Sequence, residues 1–211
     1  MRRLVARLAD DAYWLTHNDW TGEPYTSERV AGVMVATAVL ADLLEAGAVG
    51  IIGGEVVATL PPPKPLDPVG GGVVGQVVAE QRRHPVGKWL EFLGLDVCRR
   101  VAERMVAEGL ARVEKVGWRR QPACVAAERD LNAAWVRAGL ARAVAEHLQL
   151  SEEQAFLLRL VQYSSLGQQL FNEVHPESVE DAYARAATAL PQLEELLNAA
   201  ARTILAAALT H

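Results

Sequence analysis

The stretch VAGVMVATAVLADLLEAGAVGIIGGEVVATL, residues 30–60, decides the fold. From Val30 to Ala41 it carries no charge, and Asp42 and Glu45 are the first acids met. An apolar helix with almost no polar face belongs in a core, so the run predicts a buried helix ending near Ala46. Thr26 or Ser27 supplies its N-cap. Gly47 stops it, because the left-handed conformation that closes a helix is cheap for glycine. Val49 to Ile52 and Val56 to Leu60 then flank Gly53-Gly54, the pattern of a two-residue hairpin. Pro61 to Pro68 follows as a loop that no sheet interior accepts.

The same plan returns downstream. Leu95 to Glu108 reads as a helix, Gly109 stops it, Leu110 to Lys115 is strand-like, and Pro122 to Ala126 is the return strand. Gly47 and Gly109 lie 62 residues apart, and at that offset Val39 meets Val101, Leu43 meets Met105, Leu44 meets Val106 and Ile51 meets Val113. Around these two units the periodicity predicts helices over 2–15, 71–83, 86–93, 129–147, 151–163, 179–190 and 191–209. Ser151-Glu-Glu-Gln154 fits a capping box. The expected architecture is mainly α, a helix-bundle core decorated with two β-hairpins, in one domain over residues 1–211.

No stretch approaches the roughly 20 apolar residues of a membrane-spanning helix. The N-terminus lacks the apolar region of a secretory signal. Two cysteines, Cys98 and Cys124, are too few for a disulfide framework and suit buried thiols in a reduced cytosolic setting. The net charge of −5 is uneven. Residues 82–120 carry ten basic and five acidic side chains, whereas the segments before and after are each acidic by five. A basic patch on an acidic chain attracts an anionic surface locally.

Catalytic patterns are missing. Val69-Gly-Gly-Gly-Val-Val-Gly75 lacks the lysine of a phosphate loop and follows no strand, so it reads as a flexible hinge before a helix. His17, His84, His147, His175 and His211 show no metal-ligand spacing. His17 with Asp19 suits a surface turn. Cys98 has no base beside it. Asp10-Asp11 and Glu152-Glu153 sit at helix starts, where the macrodipole favours them. The reading is a non-enzymatic protein with no cofactor and no metal.

Binding chemistry remains. On the helix from Leu95, Arg99 can pair with Glu103 and Arg104 with Glu108 at i+4. Arg100 has Asp96 at i−4 and is the best placed to hold an external anion. Trp118, Arg119 and Arg120 put an aromatic beside two cations at a hairpin tip, which suits a membrane interface, a dimer contact or a wing on nucleic acid.

Three segments carry a resemblance: Leu8-Ala-Asp-Asp-Ala-Tyr-Trp-Leu, Leu40-Ala-Asp-Leu-Leu-Glu-Ala-Gly-Ala-Val, and Val101-Ala-Glu-Arg-Met-Val-Ala-Glu-Gly-Leu-Ala-Arg-Val-Glu. In order and spacing, over roughly residues 5–205, the chain resembles the Golgi phosphoprotein 3 family, particularly its bacterial members. The resemblance implies a helical core with hairpins and no catalysis. It also implies peripheral membrane binding through a phosphoinositide, phosphatidylinositol 4-phosphate in eukaryotic relatives, and homo-oligomer formation through the 110–126 hairpin. Aligned on the glycine stops, the relatives' headgroup tryptophan falls at Ser27 or Arg29, and their arginines fall at Ala36, Leu95 and Cys98. Arg29, Arg99 and Arg100 stand near enough to substitute, and Arg104 lies on the same helix. The leading expectation is a cytoplasmic protein peripheral at the inner membrane face, its ligand an anionic lipid. The alternatives are a winged-helix nucleic-acid binder, which the acidic chain disfavours, and a self-associating adaptor.

Overall fold

The computed structural model describes residues 7–114, 123–127 and 131–209. Trp118, Arg119 and Arg120 lie outside the described residues. The helices are α1 (Leu8–Thr16), α2 (Glu28–Glu45), α3 (Pro68–Ala79), α4 (Val86–Leu93), α5 (Val97–Ala107), α6 (Leu131–Ala145), α7 (Glu152–Val161), α8 (Leu166–Leu170), α9 (Pro176–Ala189) and α10 (Glu194–Ala208). Two antiparallel hairpins decorate them: β1 (Val49–Ile52) with β2 (Glu55–Ala58), and β3 (Ala111–Glu114) with β4 (Ala123–Ala126). The chain is therefore mainly α with two β-hairpins, as expected.

α2 is the centre. Every residue from Val30 to Ala41 is buried, and α2 packs against α1, α3, α4, α5, α10 and β1. Ser27 caps it, its side chain accepting from the Val30 amide. One apolar cluster runs from Leu8 in α1 to Ala207 in α10, and the hairpins reach it through Val49, Val56 and Ala111.

The two helix–glycine–hairpin units match down to their hydrogen bonds. After α2, the Gly47 amide donates to Leu44 O and the Ala48 amide to Leu43 O; after α5, Gly109 donates to Val106 O and Leu110 to Met105 O. Both glycines are left-handed, with φ of 68° and 75°. The return strands close alike: Thr59 donates to Ala48 O, and Ala127 to Leu110 O. Registers run Val49↔Ala58 to Ile52↔Glu55 and Ala111↔Ala126 to Glu114↔Ala123.

Four expectations need correction. The glycine run at 69–75 is no hinge, because it lies within α3. The Asp67 side chain accepts from the Gly70 amide at 2.8 Å and Pro68 opens the helix. Val69, Val73, Val74 and Val77 bury their side chains, which offsets a glycine cost of about 1 kcal/mol each. α9 begins at Pro176 rather than Val179, because proline loses nothing at a first helical position. Pro191 opens a short 3-10 turn, and α10 starts at Glu194. His17 is not a surface residue: it is 9% exposed, stacks on Tyr13 at 4.2 Å and meets the Thr16 hydroxyl at 2.9 Å. Burial presses its imidazole down to about 4.

Candidate functional site

The site begins with a close helix crossing. A Cβ built on Gly32 would stand 2.1 Å from the Gly94 carbonyl oxygen, so α2 and the end of α4 meet backbone to backbone. No side chain fills that corner, and beside it opens a cavity of about 380 Å³. Glu28, Arg29 and Val33 of α2 line it, with Glu91 and Leu95 from α4 and its exit. α10 closes it with Thr203, Ala206 and Ala207.

The rim is apolar as well as charged. Leu95 is 82% exposed. α10 ends beside the cavity, leaving Leu209 85% exposed. Arg29 is exposed on the first turn of α2. Glu91 is tied to Lys88 at 2.8 Å. The Cys98 thiol is pushed up to about 12, chiefly by burial and then by the charge of Glu28, so it stays protonated and inert as a nucleophile.

This cavity gathers two of the positions that the resemblance singled out, Arg29 and Leu95. A third, Ala36, is wholly buried in α2. The other arginines expected to hold an anion are spread out along α5. Arg99 is exposed and bonds Glu103 at 2.8 Å, as expected. Arg100 is half-buried, donating to Asp96 at 2.8 Å and to the Gln76 side chain of α3 at 3.4 Å.

Arg104 is the correction. It is 5% exposed, and both terminal nitrogens donate to the Asp10 carboxylate in α1. Glu108, the partner expected at i+4, lies at 3.7 Å and Asp67 at 3.9 Å. Arg7 completes the cluster, bonding Glu108 at 2.8 Å. Asp10, in the first turn of α1 as expected, also serves a tertiary ion pair. A buried guanidinium whose terminal nitrogens meet carboxylates is poorly placed to attract an external anion.

Asp42 lines a recess together with Arg104. Asp42 rises to about 7, driven by burial and opposed by two backbone hydrogen bonds. Such a group beside a cavity is where catalysis is commonly sought. Both of its oxygens, however, accept amides of α1: Leu8 on Oδ1 and Ala9 on Oδ2, each at 3.1 Å. Asp42 is a helix cap supplied from another helix, with its acceptors committed. Among the described residues no three His, Cys, Asp or Glu side chains come together as metal ligands would. None of the helices described is long and apolar enough to cross a membrane.

The cavity was missed in the sequence because it forms where α2, α4 and α10, far apart in the chain, come together. The pairing of Arg104 with Asp10 spans 94 residues, beyond any helical spacing rule. Comparison with known proteins accords with the architecture. The family model described as Golgi phosphoprotein 3 (GPP34) matches residues 8–208, nearly the whole chain, and the chain belongs to that family. No curated protein matches it.

Proposed function

With membership of the Golgi phosphoprotein 3 family as premise, we propose that the chain is a non-enzymatic peripheral membrane protein that takes an anionic lipid headgroup at the Arg29 cavity. The observation that carries the reading is the pairing of Arg29 with the exposed Leu95 in one lining, beside the exposed Leu209 at the end of α10. A basic residue near anionic lipid contributes about 1 kcal/mol. Apolar side chains at the same level enter the headgroup zone and hold the contact. Glu28 and Glu91 in the lining temper the attraction and favour a headgroup of modest charge, a monophosphorylated inositol or a phosphatidylglycerol.

Co-sedimentation with vesicles of neutral lipid, with and without phosphatidylglycerol or phosphatidylinositol 4-phosphate, tests this across salt. Binding is expected with anionic lipid, falling as salt rises and lost in Arg29→Glu and Leu95→Asp. Absence of lipid-dependent binding at low salt overturns it.

A second reading, self-association at the second hairpin, has its own support. Val113 of β3 is exposed, and Trp20 is 80% exposed on a loop whose Gly22 packs against Cys124 of β4. Sedimentation velocity of wild type and Trp20→Ala decides it. A nucleic-acid role draws less support, because Asp96 and Glu103 pair with the arginines at the start of α5.

A further inference from the structure

α4 borders a second recess that shares no lining residue with the Arg29 cavity. It measures about 220 Å³ and is formed by Glu80, His84, Lys88, Trp89 and Phe92. Three of those five are aromatic rings set against one another. His84 meets Trp89 at 6.2 Å and 76°, and Phe92 meets it at 6.0 Å and 80°. Two rings thus stand nearly upright on a third, which makes a concave aromatic corner.

The corner is held rigidly from outside. The Val56 amide donates to His84 O at 3.2 Å, and the Val86 amide donates to Gly54 O at 3.0 Å, so the first hairpin clamps the segment that bears the rings. Trp89 is 4% exposed and forms the floor. Its Nε1–H is buried with no acceptor among the described residues. A buried indole normally finds a partner for its N–H. Here packing orients the ring without one, which suits a residue used for its π-surface.

The lining carries one charge of each sign, Glu80 and Lys88. Lys88 is occupied by Glu91 at 2.8 Å. Glu80 is half-exposed and stands 3.5 Å from the His84 Nε2. Ring faces attract a cation through their quadrupole, and such cages recognise quaternary and methylated ammonium groups. A carboxylate at the rim adds to the attraction. An anion would meet ring faces and Glu80, and an uncharged apolar group would gain burial against the rings but no attraction from their quadrupole or from the carboxylate.

We propose that this recess is an aromatic cage for an alkylated ammonium group of the choline type. The group can arrive on a phosphatidylcholine headgroup or as a free small molecule. Calorimetric titration of the full chain with tetramethylammonium, choline and the uncharged isostere 3,3-dimethylbutanol tests it. The two cations are expected to bind saturably, and the isostere about tenfold more weakly. Phe92→Ala and His84→Ala are expected to weaken choline about tenfold, and Glu80→Gln several-fold, without change in thermal midpoint. Glu80→Gln, on an exposed side chain, keeps the test alive if removal of a ring disturbs the fold. Equal binding of the isostere overturns the proposal, as does choline binding indifferent to all three variants, or no saturable binding of either cation. Vesicles of phosphatidylcholine against phosphatidylglycerol then separate the sources. Sedimentation with phosphatidylcholine that Phe92→Ala abolishes assigns the lipid headgroup, and choline binding without it assigns the free molecule.

Discussion

The two helix–glycine–hairpin units are built from one local grammar and put to different uses. In the first, α2 is buried on all sides; in the second, α5 buries only Val97, Val101, Arg104 and Met105. The 62-residue offset that aligns Gly47 with Gly109 also aligns Asp42 with Arg104. Both residues reach the same target, the first turn of α1. Asp42 accepts the amides of Leu8 and Ala9, while Arg104 grips the Asp10 carboxylate. One unit satisfies the helix backbone and the other its side chain. Equivalent positions with opposite charge thus hold one helix, and the hairpins around them are free to diverge.

The sharpest way to break this comparison is Arg104→Met. It leaves Asp10 buried without its cation, and a loss of about 3–5 kcal/mol is expected in urea denaturation. Arg99→Gln, a wholly exposed pair on the same helix, should leave the midpoint unchanged.

Asp42 is separable by pH. Its carboxyl titrates at about 7 in the folded chain, above the usual 3.8. The folded state therefore binds the proton more tightly, and the stability it adds is present at low pH and lost as pH rises through about 7. At about 1.4 kcal/mol per unit the change is at most about 4 kcal/mol. His17, held down to about 4 from 6.5, acts in the other direction: its contribution is present above 6.5 and lost as pH falls toward 4. The measurement is accordingly a difference between wild type and Asp42→Asn, whose stability should flatten against pH across the Asp42 range. A parallel dependence in both proteins would remove Asp42 as the source.

The smallest effect compares the stops themselves. Gly109→Ala meets open space and should cost about 1 kcal/mol from its positive φ alone. In Gly47→Ala the new Cβ also stands 3.2 Å from Pro63 Cγ, so its thermal midpoint should fall further. Equal losses would mean that the proline loop yields.

How much of this was legible follows the range of each interaction. Ser27, Gly47, Gly109 and the Ser151 capping box act over a few residues, and each is where the sequence placed it. The 69–75 run misled because its glycines were weighed before Asp67 and Pro68, whose cap and first-turn geometry begin the helix. Arg104 could be read only against Glu108, its neighbour in sequence, since nothing local announces Asp10. The Arg29 cavity depends on α2, α4 and α10 coming together, and the aromatic corner on a hairpin clamping His84. Contacts of that kind leave no period in a sequence.

The burial of α2 also sets the order in which the molecule opens. No residue between Val30 and Ala41 touches solvent appreciably, so their amides have no local route to deuterium. They are expected to exchange only when the elements packed around α2 open, so that their protection approaches the free energy of the whole chain. The outer amides of α5 read a smaller, private opening, and α2 is the last helix to let go.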